Sequence, residues 1–459
     1  MKTKIPNKFM SIIEKIAVTA KESGFEAYAV GGFVRDIFIS REPKDLDIMA
    51  QSANVSDNSR LDGVNFSKII AKKYNLHEPV IFERFGTSKL LIDNEEVEFV
   101  MPRKEYYDDN SRNPDTEIGS LQQDALRRDF TINALFLRLN DMEVLDLTGK
   151  GLEDLKNKII RVTDPESAEL IFAQDPLRTL RAVRQSLQLN FEIEPDTYKA
   201  MKTTAGRISI VAPERIRDEI NKILIEKNPS VAFEMADDIN LLKNIFPEIE
   251  RLKNLQQPEK YHSDDVFTHT MKVLNRVPPE LVLRTAALLH DIGKFAACKN
   301  ENGKITFYGH ELESVKLAEN ILKRLKYSKD FTTQVLLVIK NHMYPKMYTA
   351  QWSDAAIRRF ARACGENLNL VLELSKADYG KDKSDDKLEE LIKRIDDLKN
   401  KNILYVTKEL LSGDELKKYF NLPDGKWISQ AKEKITELQL ETPTLTKEEA
   451  FEAIKKILQ

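Results

Sequence analysis

The stretch Gly31-Gly32-Phe33-Val34-Arg35-Asp36, followed nine residues later by Asp45-Leu46-Asp47, decides how this chain is read. The apolar run Ala27–Val30 ahead of it predicts a strand, Val34–Ile39 a short helix and Asp45–Met49 a second strand. Side chains alternate along a strand, so Asp45 and Asp47 are expected on one sheet face, with Leu46 packed behind them. Two carboxylates on one face suit a hard divalent cation such as Mg²⁺. The glycine pair lets backbone N–H groups approach a phosphate, and Arg35 adds a charged fork. Downstream, Lys89–Ile92 and Val97–Val100 flank Asp93-Asn94-Glu95-Glu96 as a β-hairpin, and Glu98 within it offers a third acid. Taken singly, the glycines are a tight turn and the acids a solvent-facing pair on an edge strand. Their order and proximity point instead to a metal–phosphate site.

Working outward, 459 residues are too many for one core and predict two to four domains. With 41% hydrophobic and 32% charged residues the composition is that of a globular chain. The apolar stretch Met10–Val18 is interrupted by Glu14 and Lys15, unlike a secretory signal, and no segment approaches the ~20 apolar residues of a membrane span. Cys298 and Cys364 lie far apart without metal-ligand spacing, so a cytoplasmic location and no membrane partner are expected. A net charge of −3 neither favours nor excludes a nucleic acid, which needs a basic patch rather than a basic protein.

Phe9–Ser23 has the period of an amphipathic helix, and beyond about Asp175 strand signals fade into 3.6-residue periodicity. Pro213, Pro247, Pro258 and Pro278-Pro279 punctuate this half, with a boundary expected near Leu255–Tyr261. Lys381–Lys401 reads as a solvated helix or linker.

The run Asp124-Ala125-Leu126-Arg127-Arg128-Asp129-Phe130-Thr131-Ile132-Asn133-Ala134, taken with the glycine and DxD motifs, resembles the bacterial-type tRNA nucleotidyltransferase and poly(A) polymerase family of the polymerase-β-like superfamily. Arg103, Glu105, Tyr106, Arg112 and Pro114 resemble that family's flexible loop, and Asp175-Pro176-Leu177-Arg178-Thr179-Leu180-Arg181-Ala182-Val183-Arg184 its base-reading motif. Asp175 and Arg178, three apart, are expected as neighbours on one helix face. A carboxylate acceptor beside a guanidinium donor complements the edge that cytosine and adenine share and rejects uracil and guanine. Arg181 and Arg184 continue the stripe toward a triphosphate. Gln174 and Gln185 depart from the family pattern, which has an acid and an aromatic there, and this leaves the base preference open. Pro213–Ile220 resembles the neck helix, whose charges are expected to fix packing. The resemblance implies a nucleotide-binding set of Gly31, Gly32, Arg35, Arg127, Arg128, Asp129, Asn133, Asp175, Arg178, Arg181 and Arg184, around catalytic Asp45, Asp47 and Glu98.

Five of the six histidines lie between His262 and His342. His290-Asp291 ends the apolar helix Leu281–Leu289, just before Gly293-Lys294. This pattern resembles an HD-type phosphohydrolase domain, implying His269, His290, Asp291 and Asp378 as core metal ligands with His310 and His342 added. Imidazole and carboxylate suit Mg²⁺, Mn²⁺, Fe²⁺, Ni²⁺ or Zn²⁺ alike. His77 and His262 are expected to be ordinary residues. Leu411–Leu416 and Leu422–Gly425 through Ala450 resemble the tail of these transferases, with Gly413 and Gly425 at helix–loop turns.

The fold expected is α+β: a head of small mixed sheet with helices (1–140), an all-α neck and body (141–255), an all-α HD-type domain (256–385) and a helical tail (386–459). The activity implied is addition of C and A to a tRNA 3′ end from CTP and ATP. The same motifs also admit A-only, CC-only or poly(A) addition. Phosphohydrolysis by the HD-type domain as the main activity and a non-catalytic RNA-binding protein are the readings from other classes.

Overall fold

The computed structural model describes residues 5–52, 62–83, 86–106, 115–257, 264–301, 304–379, 386–405 and 409–458. The chain divides into two compact units, Met1–Glu226 with Val231–Ile245, and Lys227–Ser230 with Phe246–Gln459.

In the first unit α1 (Asn7–Ser23) buries Phe9, Ile12, Ile13, Ile16 and Ala20 and stops at Gly24, whose φ of 72° closes the helix in the left-handed region. Strands β1 (Phe25–Val30), β2 (Leu46–Ser52), β3 (Val80–Phe82), β4 (Thr87–Ile92), β5 (Glu95–Val100), and the later pair β8 (Leu135–Arg138) and β9 (Val144–Asp146) form one sheet of order β3-β4-β5-β2-β1-β8-β9. Only β2 and β5 pair in parallel; every other neighbour is antiparallel. The hairpin turn is tighter than expected. Asp93 and Asn94 alone make it, at φ 51° and 67°, the mirror-image geometry that suits twisted strands, while Glu95 and Glu96 belong to β5.

Both faces of the sheet are covered, which explains why Ala27–Val30 is apolar without alternation. On one face α3 (Asp62–Lys73) sets Phe66 against Phe25 and Phe99, at ring distances of 5.0 and 6.0 Å. On the other, Tyr28, Val30, Met49 and Phe136 pack with Ala125 of α4 (Leu121–Arg127). Between these elements lie α2 (Gly32–Phe38) and a separate hairpin, β6 (Arg103–Tyr106) with β7 (Asp115–Ile118). Arg112 and Pro114 of the expected flexible loop lie outside the described residues.

Helices then dominate: α5 (Gly151–Asn157), α6 (Ala168–Gln174), α7 (Leu177–Leu189), α8 (Pro195–Thr204), α9 (Pro213–Leu224), α10 (Ser230–Asp238) and α11 (Leu242–Ile245). The fading of strand signals is not complete. A two-residue parallel pair, β10 (Ile159–Ile160) with β11 (Glu192–Ile193), joins α5 to the segment after α7.

Among the described residues the second unit is helical apart from the short hairpin β12 (Lys299–Glu301) and β13 (Lys304–Thr306). Its helices are α12 (Pro247–Glu250), α13 (Val266–Arg276), α14 (Leu281–Leu289), α15 (Lys294–Ala297), α16 (His310–Arg324), α17 (Lys329–Asn341), α18 (Asp354–Cys364) and α19 (Leu368–Tyr379). The charged stretch near 390 is a helix, α20 (Asp386–Asn400), which buries Leu388, Leu391, Ile395 and Leu398 on one stripe. The tail helices α21 (Gly413–Phe420), α22 (Lys426–Glu441) and α23 (Lys447–Leu458) enclose their own core of Leu416, Ile435, Ala450 and Ile454. Ser412 and Glu415 cap α21 reciprocally, and Gly425 precedes α22 in extended backbone. Among the described residues, no helix is long and apolar enough to cross a membrane.

Candidate active site and histidine centre

The register of three strands sets the acids of the head. Val30 at the end of β1 lies opposite Asp47, and Asp47 lies opposite Glu98 on β5. Leu46 and Ile48, on the alternate face, are 1% and 0% exposed, so Asp47 is turned toward the glycine bend and Glu98 stands beside it. Asp45 falls one residue before β2 rather than within it and is exposed. Burial, then the neighbouring Glu98 charge, pushes the Asp47 carboxyl up to about 6. A part-buried acid repelled by two others is a place where a cation is stabilising. Asp45 and Asp47 line the cleft described next; Glu98 backs Asp47 from outside it.

That cleft measures about 840 Å³ and is lined by eleven lysines and arginines against six acids. Its positive balance is local, since the whole chain carries −3. Gly31, at φ 70°, makes the bend before α2, and a side chain there would meet Arg128 Nη1 at 3.2 Å. The arginines are held from behind by acids. Asp124, wholly buried, accepts from Arg128 Nε at 2.9 Å and Arg127 Nε at 2.8 Å, and Arg127 Nη2 also reaches it. Asp129 accepts from Arg181 at 2.6 and 2.9 Å. Glu219 of α9 accepts from Arg184 Nε at 2.5 Å. Burial alone would raise the Asp129 and Glu219 carboxyls, but the guanidiniums hold both below the usual range. Arg35 donates to Asp36 at 2.8 Å and to Asn133 Oδ1 at 2.8 Å. Gln185 completes this network: its Oε1 accepts from Asn133 Nδ2 at 3.0 Å, and it is 2% exposed.

The expected pairing of Asp175 with Arg178 on one helix face does not occur. Pro176 interrupts the helical run, so Asp175 closes α6 as its C-cap and α7 begins at Leu177. Asp175 accepts from Arg215 Nη2 at 3.3 Å, while Arg178 Nη2 donates to the Arg127 carbonyl at 2.6 Å. Both still line the cleft. Asp124, Gln185, Glu219 and Arg215 were not among the site residues read from sequence. For Asp124 the signal was available, since its spacing of three and four to Arg127 and Arg128 places all three on one helical face.

In the second unit His269, His290, Asp291, His310, His342 and Asp378 converge, each at most 5% exposed. Gly293 permits this. A side-chain carbon there would lie 2.3 Å from the His310 carbonyl and 2.4 Å from Ser314 N, so only glycine lets α16 bring His310 in. His269 Nε2 is 2.9 Å from Asp378 Oδ1, His290 Nε2 is 3.1 Å from Asp291 Oδ2, and His310 Nε2 is 3.3 Å from Asp291 Oδ1. Adjacent rings stand 5.3–5.8 Å apart.

The tautomers follow from the backbone. His290, His310 and His342 donate Nδ1–H to the carbonyls of Ala287, Phe307 and Ile339, at 2.8, 2.9 and 2.6 Å. Each Nε2 is thereby left facing inward, and none of the three has a hydrogen bond among the described residues. Buried imidazole nitrogens set in this way beside two carboxylates fit a metal ion. Burial, aided by His290, pushes His342 down to about 3, so its ring is neutral and free to ligate. At His290 the Asp291 charge outweighs burial and raises the ring, so a metal there competes with a proton. His269, His290 and Asp291 form one ligand group and Asp291, His310 and His342 a second, with Asp291 common to both. His77 is exposed, and His262 lies outside the described residues.

A mixed-sheet head presenting acids to a basic cleft, on a chain that also carries a histidine centre, defines the class as a nucleotidyltransferase with an HD-type domain. Residues 27–161 match the family "Poly A polymerase head domain", 190–253 "Probable RNA and SrmB- binding site of polymerase A", and 260–401 "HD domain". Two curated relatives share the name Multifunctional CCA protein. That of Nitrosococcus oceani is 32% identical over 69% of this chain and 74% of its own length; that of Janthinobacterium sp. is 35% identical over 49% and 53%. The matches thus span about three quarters of one relative and about half of the other. The crystal structure of the Bacillus stearothermophilus CCA-adding enzyme in complex with CTP superposes at a TM-score of 0.70, 20% identity and 99% and 98% coverage. The chain belongs to the CCA-adding family of tRNA nucleotidyltransferases. Head and HD domains of this kind usually bind divalent metals.

Proposed function

We propose that this protein is a cytoplasmic enzyme that adds C and A, without a nucleic-acid template, to the 3′ end of tRNA from CTP and ATP. The observation that carries the reading is the basic cleft with Asp45 and Asp47 on its wall and its arginines held from behind by buried acids. Asp45 and Asp47, with Glu98 in support, would hold two Mg²⁺ ions in the head. When bound, such a pair would supply Lewis acidity that lowers the pKa of the attacking hydroxyl and offsets charge on the leaving pyrophosphate.

The chain's own side chains do the rest by position and field. Backbone N–H groups of Gly31 and Gly32, with Arg35, take the terminal phosphates. Arg127, Arg128, Arg181 and Arg184 surround the remainder of the nucleotide, and Asp129 and Asn133 hold the arginines in register. Asp175 and Arg178 read the base as acceptor and donor, each released from its present partner when a nucleotide enters. The RNA 3′-hydroxyl then attacks the α-phosphorus in line. Residues 141–255 form the neck and body that hold RNA and 386–459 the tail.

The test supplies tRNAs lacking the terminal A, the terminal CA or all of CCA with labelled CTP or ATP and Mg²⁺. Addition of C, C and then A, stopping there, supports the reading. A alone, CC alone or a long tail assigns the corresponding variant of the family.

The three orphan imidazole nitrogens favour a second reading alongside the first: residues 256–385 form a metal-dependent phosphohydrolase site with His269, His290, Asp291, His310, His342 and Asp378 as ligands. Hydrolysis of a phosphate ester with added metal, lost in His290→Ala, supports it; purified protein without metal at this centre overturns it.

A further inference from the structure

Gln185 is a position at which the sequence leaves the base preference open, and its surroundings decide what it does. Arg178, Arg181, Gln185 and Gln188 recur at helical spacing along α7, and all four line the cleft. Gln185 is the most deeply buried of them.

Its amide lies between a cation and an anion. Oε1 accepts from Asn133 Nδ2 at 3.0 Å and from Arg35 Nη1 at 3.4 Å, and Nε2 donates to Asp129 Oδ2 at 3.4 Å. Asn133 is set the same way round. Its Nδ2 donates to Asp129 Oδ1 at 2.8 Å, and its Oδ1 accepts from Arg35 Nη1 at 2.8 Å. Turning either amide over would set N–H groups against the guanidinium and an oxygen against the carboxylate, so the charges fix both orientations. Two amides therefore run side by side from Asp129 to Arg35, their dipoles aligned with the field between them.

On its other edge Arg35 gives Nε and Nη2 to Asp36 Oδ1, at 2.8 and 2.7 Å. A side-chain carbon at Gly32 would meet Nη2 at 3.5 Å, so the guanidinium rests against the glycine bend. Held on both edges, it presents a fixed face to an incoming anion; freed on one edge, it loses that pre-organisation. Both ends of the Gln185 amide are engaged by protein groups, which turns it away from a base edge and toward the arginine.

We propose that Gln185 is a positioning residue: through Arg35 it sets how tightly the terminal phosphates of the incoming nucleotide are held, equally for CTP and ATP. This rests on the reading of the cleft as the nucleotide site. Base choice stays with Asp175 and Arg178.

The test compares the full chain with Gln185→Met, which keeps the length of the side chain and gives up the amide. CTP, CMP and inorganic tripolyphosphate are titrated by calorimetry with Mg²⁺ and no tRNA. Affinity for CTP and tripolyphosphate should fall about five- to tenfold and that for CMP less than about twofold, since CMP lacks the phosphates that Arg35 takes. On tRNAs lacking CCA or the terminal A, KM for CTP and ATP should rise together by about the same factor, with kcat changed less than about twofold. Gln185→Leu, which also lacks the amide, should behave in the same way. In an Arg35→Lys background, where the guanidinium fork is already gone, Gln185→Met should cost less than about twofold more. CTP affinity unchanged in Gln185→Met overturns the proposal while the nucleotide site stands. So does CMP weakened as much as CTP, a KM rise confined to one nucleotide, or the full loss persisting with Arg35→Lys. Unaltered protein that neither binds CTP nor extends tRNA overturns both.

Discussion

In the head cleft the buried acids stand behind arginines and the acids proposed to hold metal line an open wall. In the histidine centre the proposed ligands are themselves buried, with two lysines set on their carboxylates. Asp124 and Glu219 are 0% and 3% exposed and stand behind the cations they hold, arginines and, for Glu219, also Lys222. Asp291 and Asp378 are as deeply buried, yet they face the centre directly. The first arrangement suits a large polyanion that must enter and leave, since long side chains are pre-set without the site being closed. The second suits small ions, because three imidazole tautomers are set by local backbone carbonyls before anything binds.

The largest effect that would break this comparison concerns the histidine centre. His290→Ala should reduce its metal affinity on the order of 100-fold or more, read by elemental analysis after dialysis. Nucleotide addition to tRNA should remain unaltered. If addition fell in parallel, the two sites could not be treated as separate devices.

A smaller effect sharpens the role of the acids behind the arginines. Asp124→Asn keeps the shape but removes the charge that orders Arg127 and Arg128. We expect KM for CTP and ATP to rise about tenfold with little change in kcat, because nucleotide binding is lost rather than chemistry. A fall in kcat at constant KM would assign Asp124 to another role.

The smallest effect is in pH. The Asp47 carboxyl is raised to about 6 from an ordinary value near 3.8, so the metal-free native state binds more protons than the unfolded chain between those values. Stability of the metal-free protein should therefore fall as pH rises from about 4 to about 6, by ~1–2 kcal/mol once partial exposure is allowed for. Mg²⁺ should cancel the loss above pH 6 and do little below pH 4, which thermal unfolding with and without Mg²⁺ would show. An opposite slope, or none removed by Asp47→Asn, would contradict the origin assigned to it.

Much of this was legible in the chain, for local reasons. The strand, glycine bend, helix and second strand follow from alternation and turn chemistry within some thirty residues, and the apolar helix Leu281–Leu289 ends where periodicity says it should. What was not legible is non-local or set by a single proline. The Arg184–Glu219 pair spans 35 residues and the Arg181–Asp129 pair 52, distances over which spacing carries no information. Pro176 moves Asp175 off the helix that periodicity alone would extend through it. The need for Gly293 is likewise invisible until α16 is packed against it.

The most direct test of the central claim is single-turnover addition to tRNA lacking CCA, comparing the unaltered chain with Asp45→Ala and Asp47→Ala at matched folding by circular dichroism. Each substitution should slow addition on the order of 10³-fold or more while CTP still binds the cleft. Addition within tenfold of the unaltered rate in either variant would contradict it.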